Sequence, residues 1–303
     1  MSLSPESRAA DTGVIHDIGY RGYTGPRLGR GYATRSLFTQ SLRAAYGLGR
    51  SGKSKVLPMI VLGAVTVPAL IIVAVAVITG SGELPVDYAD YLRTIALVVS
   101  IFLASQAPVL FSRDLRHHTV PLYFSRPITR ADYVRAKFGA MACAQLLLML
   151  APLLVLYAGS LLVGLKFGDQ TEHFLYGLVA AVLYALVPTS VAVVIAAATP
   201  RRGFGVAAIM GYLAISTTVL GVVVGTSLAA SDFGTELPES AQWAALLSPG
   251  GLVESLVNEL FDLGSGAERL HAPGAPGVLV FTAVAAAMVA GSYRLLLRRY
   301  RNV

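Results

Sequence analysis

The sequence predicts an all-α polytopic membrane protein with six transmembrane helices. Of its 303 residues, 55% are hydrophobic and 14% are charged, and the mean hydropathy is +0.65. Six segments without Asp, Glu, Lys or Arg are long enough to cross a bilayer, and basic residues cluster on alternate connections between them. This composition excludes a soluble globule. The net charge of +7 is explained by orientation against an anionic leaflet rather than by nucleic-acid binding.

Each predicted span is close to the roughly 20 residues that an α-helix needs to cross the hydrocarbon layer. Proline occurs inside several of them, which spanning helices tolerate because neighbouring helices satisfy the freed carbonyl groups. The predicted spans are Val56–Gly80, Thr94–Phe111, Phe138–Leu165, Phe174–Thr199, Phe204–Leu228 and Gly277–Leu297, the last of which is free of charge as far as Tyr293.

The distribution of Lys and Arg orients these spans. If both ends of the chain are cytoplasmic, all but three of the 24 Lys and Arg residues lie on the cytoplasmic side. The three exceptions are Arg93, Lys166 and Arg269. Because short cytoplasmic loops carry an excess of these residues, we predict an N-in/C-in topology.

Two parts precede the first span. Residues 1–32 are rich in Gly, Arg and Tyr, and they predict an irregular cytoplasmic arm before a six-span domain at 33–303. No apolar stretch typical of a cleaved signal peptide occurs in the first 55 residues, so we expect the first span to act as its own signal.

Residues Thr34 to Leu48 have the periodicity of an amphipathic helix. The apolar face comprises Leu37, Phe38, Leu42 and Ala45, and the polar face comprises Arg35, Thr39 and Arg43. Such a pattern predicts a helix lying in the membrane interface. A helix packed on a soluble domain is the alternative, which is disfavoured because no such domain follows.

The segment Gly47 to Ser54, GLGRSGKS, satisfies the P-loop pattern for nucleotide binding. A working P-loop needs a buried strand before it and a helix after it, so that backbone N–H groups cradle phosphate. Here an amphipathic helical pattern precedes the segment and a membrane span follows it. We therefore interpret it as a glycine-hinged basic connector and expect no ATPase site on this chain.

No ionisable residue lies in the middle of a predicted span. Carriers that are driven by protons or sodium generally place such groups at depth, so we expect this chain not to power transport by itself. The deepest polar side chains, which would line a pathway, are Gln106, Gln145, Thr189, Ser190, Ser216, Thr217 and Thr218. In the fifth span, Gly221 and Gly225 form a GxxxG pattern that permits close helix packing.

The histidines and the single cysteine indicate neither a metal site nor a catalytic site. His117 and His118 are adjacent rather than four residues apart, and Cys143 lies alone in an apolar run. We also find no nucleophile with a base within predictable reach. The sequence predicts no catalytic residue, no metal and no cofactor on this chain.

The predicted outer connection Ala229–Pro276 has helical periodicity in two places. A short helix is predicted at Ser240–Leu247, around Trp243. A longer one has the apolar face Leu252, Val253, Leu256, Val257, Leu260 and Phe261 and the polar face Glu254, Asn258, Glu259 and Asp262. Both helices could cap the outer mouth, or the connection could have a folding role only.

The central connection, Arg113–Lys137, is the longest polar run between two spans, with six Lys or Arg against two Asp. We predict that the second span continues through Arg113–His118 and is broken at Pro121. Leu122, Tyr123 and Phe124 then form an exposed apolar cluster, which needs a partner to cover it. Thr129 and Asp132 predict a capping box that starts a helix running into the third span.

This connection resembles the permease subunits of type-2 ATP-binding-cassette (ABC) exporters. The likeness rests on Arg113-Asp114, Thr119, the run from Leu122 to Ile128, and Tyr133 to Lys137, and it extends with the six-span order over residues 33–300. His118 departs from many relatives, which have Gly there. The stretch Ile15–Arg30 is similar to the leader found on such permeases in actinobacteria.

The resemblance implies a coupling helix between spans two and three that docks into a separate ABC ATPase, which would hold ATP and Mg²⁺. It also implies a second permease, identical or homologous, in a bacterial inner membrane. By this likeness Leu122, Tyr123 and Phe124 are the docking knob. The charges around the knob are Arg113, Asp114, Arg116, Arg126, Arg130 and Arg135.

The favoured interpretation is an ATP-driven exporter permease. An uncharged pathway of aliphatic, hydroxyl and aromatic side chains suits an amphipathic small molecule or a lipid. One alternative is a membrane scaffold or regulatory protein with the same fold that does not transport. Another is a membrane-embedded lipid-modifying enzyme, for which the sequence offers no catalytic cluster.

Overall fold

A computed structural model describes residues 22, 24–25, 28–80, 84–117, 119–125, 127–230, 237–263 and 269–301. Within these ranges the chain forms α-helices and one 3-10 helix, and no strand is present. The helices are α1 (Arg30–Ala45), α2 (Gly52–Thr79), α3 (Tyr88–Leu110), α4 (Ser112–Arg116), α5 (Val120–Phe124), α6 (Arg130–Leu162), α7 (Phe167–Ala198), α8 (Arg202–Ala230), α9 (Glu239–Gln242), the 3-10 helix (Trp243–Leu247), α10 (Pro249–Phe261) and α11 (Gly274–Arg301).

Six of these helices, α2, α3, α6, α7, α8 and α11, are long and apolar enough to cross a membrane. This confirms the predicted all-α polytopic membrane fold and each of the six predicted spans. Pro58, Pro68, Pro108, Pro152 and Pro188 lie inside spanning helices, as expected.

Helices α3, α6 and α7 form the core of the bundle. More than half of the most apolar window of each is buried, whereas less than a quarter is buried in α2, α8 and α11. Helix α6 packs against α1, α2, α3 and α7. The three peripheral spans therefore present most of their apolar surface to lipid or to another chain.

The bundle has two ends, because successive spans run in opposite directions. The basic end holds α1, α4, α5 and the connection between α7 and α8. The cap end holds α9, the 3-10 helix and α10, and its short helices occur where the sequence predicted them.

Helix α10 buries Leu252, Val253, Leu256 and Val257 as predicted, but other positions of its two faces differ from the prediction. Asn258, assigned to the polar face, is buried and donates from Nδ2 to the Leu270 carbonyl at 3.0 Å, and the side chain of Glu254 is also largely buried. Leu260, assigned to the apolar face, is 53% exposed. The predicted faces were wrong at these positions because other segments supply partners: the Leu270 carbonyl accepts from Asn258, and Arg93 forms an ion pair with Glu254.

The P-loop pattern covers the turn between α1, which ends at Ala45, and α2, which begins at Gly52, and its last three residues lie in the first turn of α2. Gly47 has φ +68°, and a Cβ there would lie 2.4 Å from the carbonyl oxygen of Ser54. Glycine is therefore required at this position for a tight turn. The strand that a nucleotide-binding P-loop needs does not precede it.

Candidate functional site

The central connection is folded as two short helices that stand on the ends of α3 and α6. Helix α4 ends at Arg116 and α5 begins at Val120, with Pro121 in its first turn. The helix is therefore interrupted before Pro121, and the predicted break at that residue was wrong. Proline fits the first turn because its missing N–H would have no intrahelical partner there.

The predicted capping box is confirmed at the start of α6. The backbone N–H of Asp132 donates to Thr129 Oγ1 at 3.3 Å, and the backbone N–H of Thr129 donates to Asp132 Oδ2 at 3.1 Å. Arg30 of α1 adds to it by donating from Nε to Asp132 Oδ2 at 2.5 Å and from Nη2 to Thr129 Oγ1 at 2.9 Å. Arg30, which was predicted to lie in the irregular arm, thus begins a helix and clamps it to α6.

A buried ion pair lies beneath the loop. Asp114 and Lys137 are each 4% exposed, and their side chains contact each other through Oδ2 and Nζ. The Tyr133 hydroxyl donates to the same carboxylate oxygen at 3.0 Å, and Lys137 also donates to the carbonyl of Leu110. These contacts join α3, α4 and α6 into one unit at the root of the loop.

The three residues of the predicted knob are not equally exposed. Leu122 is 67% exposed, whereas Tyr123 and Phe124 are half-buried. Both of their rings pack on Tyr133, with centroid distances of 5.5 and 6.0 Å, and Tyr300 of α11 packs on Tyr133 at 5.0 Å. The exposed tip is therefore Leu122, and the two aromatic rings support it.

Most of the charges predicted around the knob are at the surface. Arg113, Arg116, Arg130 and Arg135 are exposed, and the Arg130 guanidinium lies 5.6 Å from the centre of the Phe124 ring. Asp114 is the exception, because it is buried against Lys137 and is not available at the surface. Arg126 lies outside the described residues.

The amphipathic helix α1 is present and packs along α6 and α3. Leu37 and Ala45 are buried, Phe38 and Leu42 are partly buried against the core, and Arg35 and Arg43 are exposed. The predicted faces are therefore confirmed, although the helix covers Arg30–Ala45 rather than Thr34–Leu48. Its position in the membrane plane stays a prediction.

A cavity of about 570 Å³ lies between α3, α6, α7, α8 and α10. Three of the predicted pathway residues, Gln145, Thr217 and Thr218, line it. The apolar part of its wall includes Leu97, Met149, Pro188, Met210, Leu213 and Val224. Arg93 and Glu254 also line it, so the cavity combines a large apolar surface with a few hydrogen-bonding groups and one ion pair.

The other four predicted pathway residues are buried in the helix packing and are not part of the cavity wall. Ser190 and Ser216 donate to carbonyl groups three residues earlier, and Gln106 donates to Ser105. Thr189 donates to Gln145 Oε1 at 3.1 Å, and Gln145 donates from Nε2 to the Tyr184 carbonyl at 3.2 Å. Thr189 and Tyr184 therefore fix the orientation of the Gln145 amide in the wall.

The sequence of this helical bundle matches a known family. Residues 107–300, more than half of the chain, match the family described as ABC-2 family transporter protein. This chain belongs to the ABC-2 transporter family. The matched region of this ABC-2 protein includes the loop, the cavity helices α6, α7, α8 and α10, and α11. A search of curated proteins found no match.

Membership establishes the coarse function. An ABC-2 protein is a transmembrane permease of an ABC transporter, and the family implies a partnership with an ABC ATPase subunit. The six membrane-competent helices and the family together make it a multi-pass membrane protein.

Two ion pairs at the cap end of the ABC-2 protein were not predicted from its sequence. Arg93 of α3 lies 3.1 Å from Glu254 of α10, and Arg269 lies 2.6 Å from Asp90 of α3. Burial raises the pKa of the Glu254 carboxyl, and the positive charge of Arg93 opposes that rise. Two of the three predicted outer cations thus tie the cap to α3. Lys and Arg are scarce on the predicted outer side, and this scarcity was the signal that could have singled out Arg93 and Arg269.

Proposed function

We propose that this chain is the membrane-spanning half of an ATP-driven exporter, with the Leu122 tip docking on a separate ATPase. The observation that carries the proposal is the bracing of this tip. Tyr123 and Phe124 rest on Tyr133, and the Asp114–Lys137 pair joins the loop to α3 and α6. A rigid loop can transmit a push from a partner as a tilt of two spans.

ATP and Mg²⁺ would be held by the partner. The P-loop pattern at Gly47–Ser54 runs into α2 but follows a helix, α1, so it lacks the preceding strand that a phosphate-binding P-loop requires. Hydrolysis on a second subunit is therefore the source of energy that we expect.

The cavity supports transport rather than scaffolding. Its volume of about 570 Å³ and its mixed wall suit an amphipathic small molecule or a lipid, which the chain would move outward. The exposed apolar surface of α8 and α3 around Leu97 and Val222 supports a second permease, identical or homologous, at that side.

The charge distribution supports an N-in/C-in orientation in a bacterial inner membrane. Arg30, Arg113, Arg202 and Arg299 all lie at the basic end, and that end would face the cytoplasm. A cysteine introduced at Leu122 in a chain with Cys143 replaced should resist an impermeant maleimide in intact cells. A cysteine at Leu260 at the cap end should react.

The docking role is tested by Leu122→Glu in the chain expressed with its ATPase. We expect the ATPase to be lost on purification, because the tip is exposed and its charge would have to be buried at the interface. Leu260→Glu is the matched control, since it introduces the same charge at an exposed leucine of the cap end. Undiminished ATPase on the Leu122→Glu chain, with normal membrane insertion, would refute the docking role.

A further inference from the structure

A second large cavity lies at the basic end, between α1 and the root of the loop. Its volume is about 680 Å³. Its walls come from α1, from the Leu48–Arg50 connector, from the end of α3 with α4, and from Tyr123 of α5 and Lys137 of α6. Leu122 and the residues that line the cavity of about 570 Å³ are not part of this wall.

The wall of this cavity carries an excess of positive charge. Arg35, Arg43, Arg50, Arg113 and Lys137 line it, and Asp114 is the acidic residue among the lining residues. Asp114 is already paired with Lys137 and accepts from Tyr133. Among the described ranges, no carboxylate lies within 4 Å of the remaining four guanidinium groups. The cavity wall therefore holds four guanidinium groups without a carboxylate of the described residues at ion-pair distance.

Arg50 is the most constrained of these cations. It is partly buried at the turn before α2, and burial lowers its pKa. The positive charges of Arg113 and Arg202 lower the pKa further, and the negative charge of Asp114 opposes this only in part. Like charges that converge on a partly buried site are unfavourable unless an anion neutralises them.

The position of the cavity indicates the kind of anion. Arg50 lies two residues before the first spanning helix, and Arg113 lies just after the apolar part of α3, so both are at the level where spans leave the hydrocarbon layer. Leu37, Leu48, Val109 and Leu110 add an apolar wall beside the cations. Guanidinium groups bind phosphate through paired hydrogen bonds, and an apolar wall suits an acyl chain.

We propose that this cavity binds the phosphate headgroup of an anionic phospholipid from the adjoining leaflet. Arg43, Arg50 and Arg113 would hold the headgroup, and the acyl chains would leave past Leu48 along α1. The bound lipid would join α1 to the ends of α2 and α3. This inference concerns lipid binding alone, so it stands or fails independently of ATPase docking at Leu122.

The test uses the full chain in nanodiscs of phosphatidylcholine with and without phosphatidylglycerol. Native mass spectrometry after release measures the phosphatidylglycerol that stays bound. Each cation near a membrane surface adds about 1 kcal/mol to anionic-lipid binding, so Arg43→Gln with Arg50→Gln should weaken retention by more than about tenfold. Arg298→Gln with Arg299→Gln is the matched control, since both arginines are exposed at the same end outside the cavity.

Two further arms make the result decisive. Arg43→Lys with Arg50→Lys keeps the charges but not the paired hydrogen bonds, so retention should lie between that of the glutamine variant and that of the wild type, which separates charge loss from misfolding. Added inorganic phosphate should not displace the lipid, because it lacks the acyl chains.

Three outcomes would overturn the proposal. The glutamine variant could retain as much lipid as the wild type, or the control could lose as much as the glutamine variant. Inorganic phosphate could also compete fully. Unchanged lipid retention with loss of the ATPase from the glutamine variant would assign the cavity to the protein partner instead.

Discussion

Lys137 and Asp114 form a buried ion pair that joins the first turns of α6 to α4, 23 residues earlier in the chain. Both side chains are removed from solvent, and Tyr133 and the Leu110 carbonyl complete their hydrogen bonding. A buried pair of this kind is costly to break from one side, because the remaining charge has no partner.

Removal of one partner should therefore destabilise the protein more than removal of both. We expect Lys137→Met or Asp114→Leu alone to lower the free energy of unfolding by about 3–5 kcal/mol, and the double substitution to cost clearly less than either. Thermal unfolding of the four proteins in the same detergent measures this coupling. A double variant that loses as much free energy of unfolding as a single variant, or the sum of the two single losses, would contradict a buried pair. Arg116→Gln, at an exposed position of α4, should have almost no effect.

The clamp between α1 and α6 predicts a second coupled pair. Thr129→Ala removes both the N-cap of α6 and an acceptor for Arg30, and we expect it to cost about 1 kcal/mol. Arg30→Gln should cost less, because Arg30 is more than half exposed. The double variant should lose less free energy of unfolding than the sum of the losses in the two single variants. Thr39→Ala on the exposed face of α1 is the control, and strict additivity in denaturation would refute the clamp.

Glu254 predicts a dependence of stability on pH at the cap end. Its pKa is raised above the ordinary value of 4.5, first of all by burial. A carboxyl with a raised folded pKa stabilises the folded state below the unfolded pKa, and that contribution is lost as pH rises through the folded pKa.

Glu254→Gln should therefore be at least as stable as the wild type at neutral pH, and its advantage should vanish at pH below about 4.5. Arg93→Gln should lower the free energy of unfolding at neutral pH, because it removes the positive charge that opposes the rise in the pKa of Glu254. Unfolding measured across this pH range decides the matter. A Glu254→Gln variant that is less stable at neutral pH would show that the pair with Arg93 outweighs burial.

Two glycines in spanning helices predict opposite effects of one substitution. A Cβ at Gly159 of α6 would lie 2.2 Å from Val73 Cγ2 of α2, so Gly159→Ala should cost about 1–3 kcal/mol by overpacking. A Cβ at Gly225 of α8 would meet no described atom within 4 Å. Gly225→Ala should thus raise helix stability by up to about 1 kcal/mol in the single chain. If the Gly225 change instead weakens association of two chains in cross-linking, the GxxxG face of α8 contacts a second copy.

Features that depend on neighbouring residues could be predicted from the sequence. The six spans follow from apolar length, and the box at Thr129 and Asp132 follows from a spacing of three residues. The faces of α1 follow from its own periodicity. In each case the residues that decide the structure lie within one helix or its cap.

Features that join distant segments could not be predicted. Arg30 lies 102 residues before Asp132, so an isolated arginine in a polar arm gave no sign of a clamp. Asp114 stands among arginines and was predicted to be a surface charge, but Lys137 from the next span buries it. Asn258 could be buried only because the Leu270 carbonyl accepts from it. Partners of this kind are set by tertiary packing, which periodicity does not describe.

Tyr300 packs on Tyr133, and Tyr133 in turn carries the rings of Tyr123 and Phe124. The support of the loop therefore includes a side chain from α11, which the ribosome makes after every other described helix. A nascent chain that has inserted only its first five spans still lacks the contact between Tyr300 and Tyr133. If the loop is the docking surface proposed above, recruitment of an energy-supplying subunit there would favour chains whose final span has been synthesised and packed, because incomplete chains lack the Tyr300 contact.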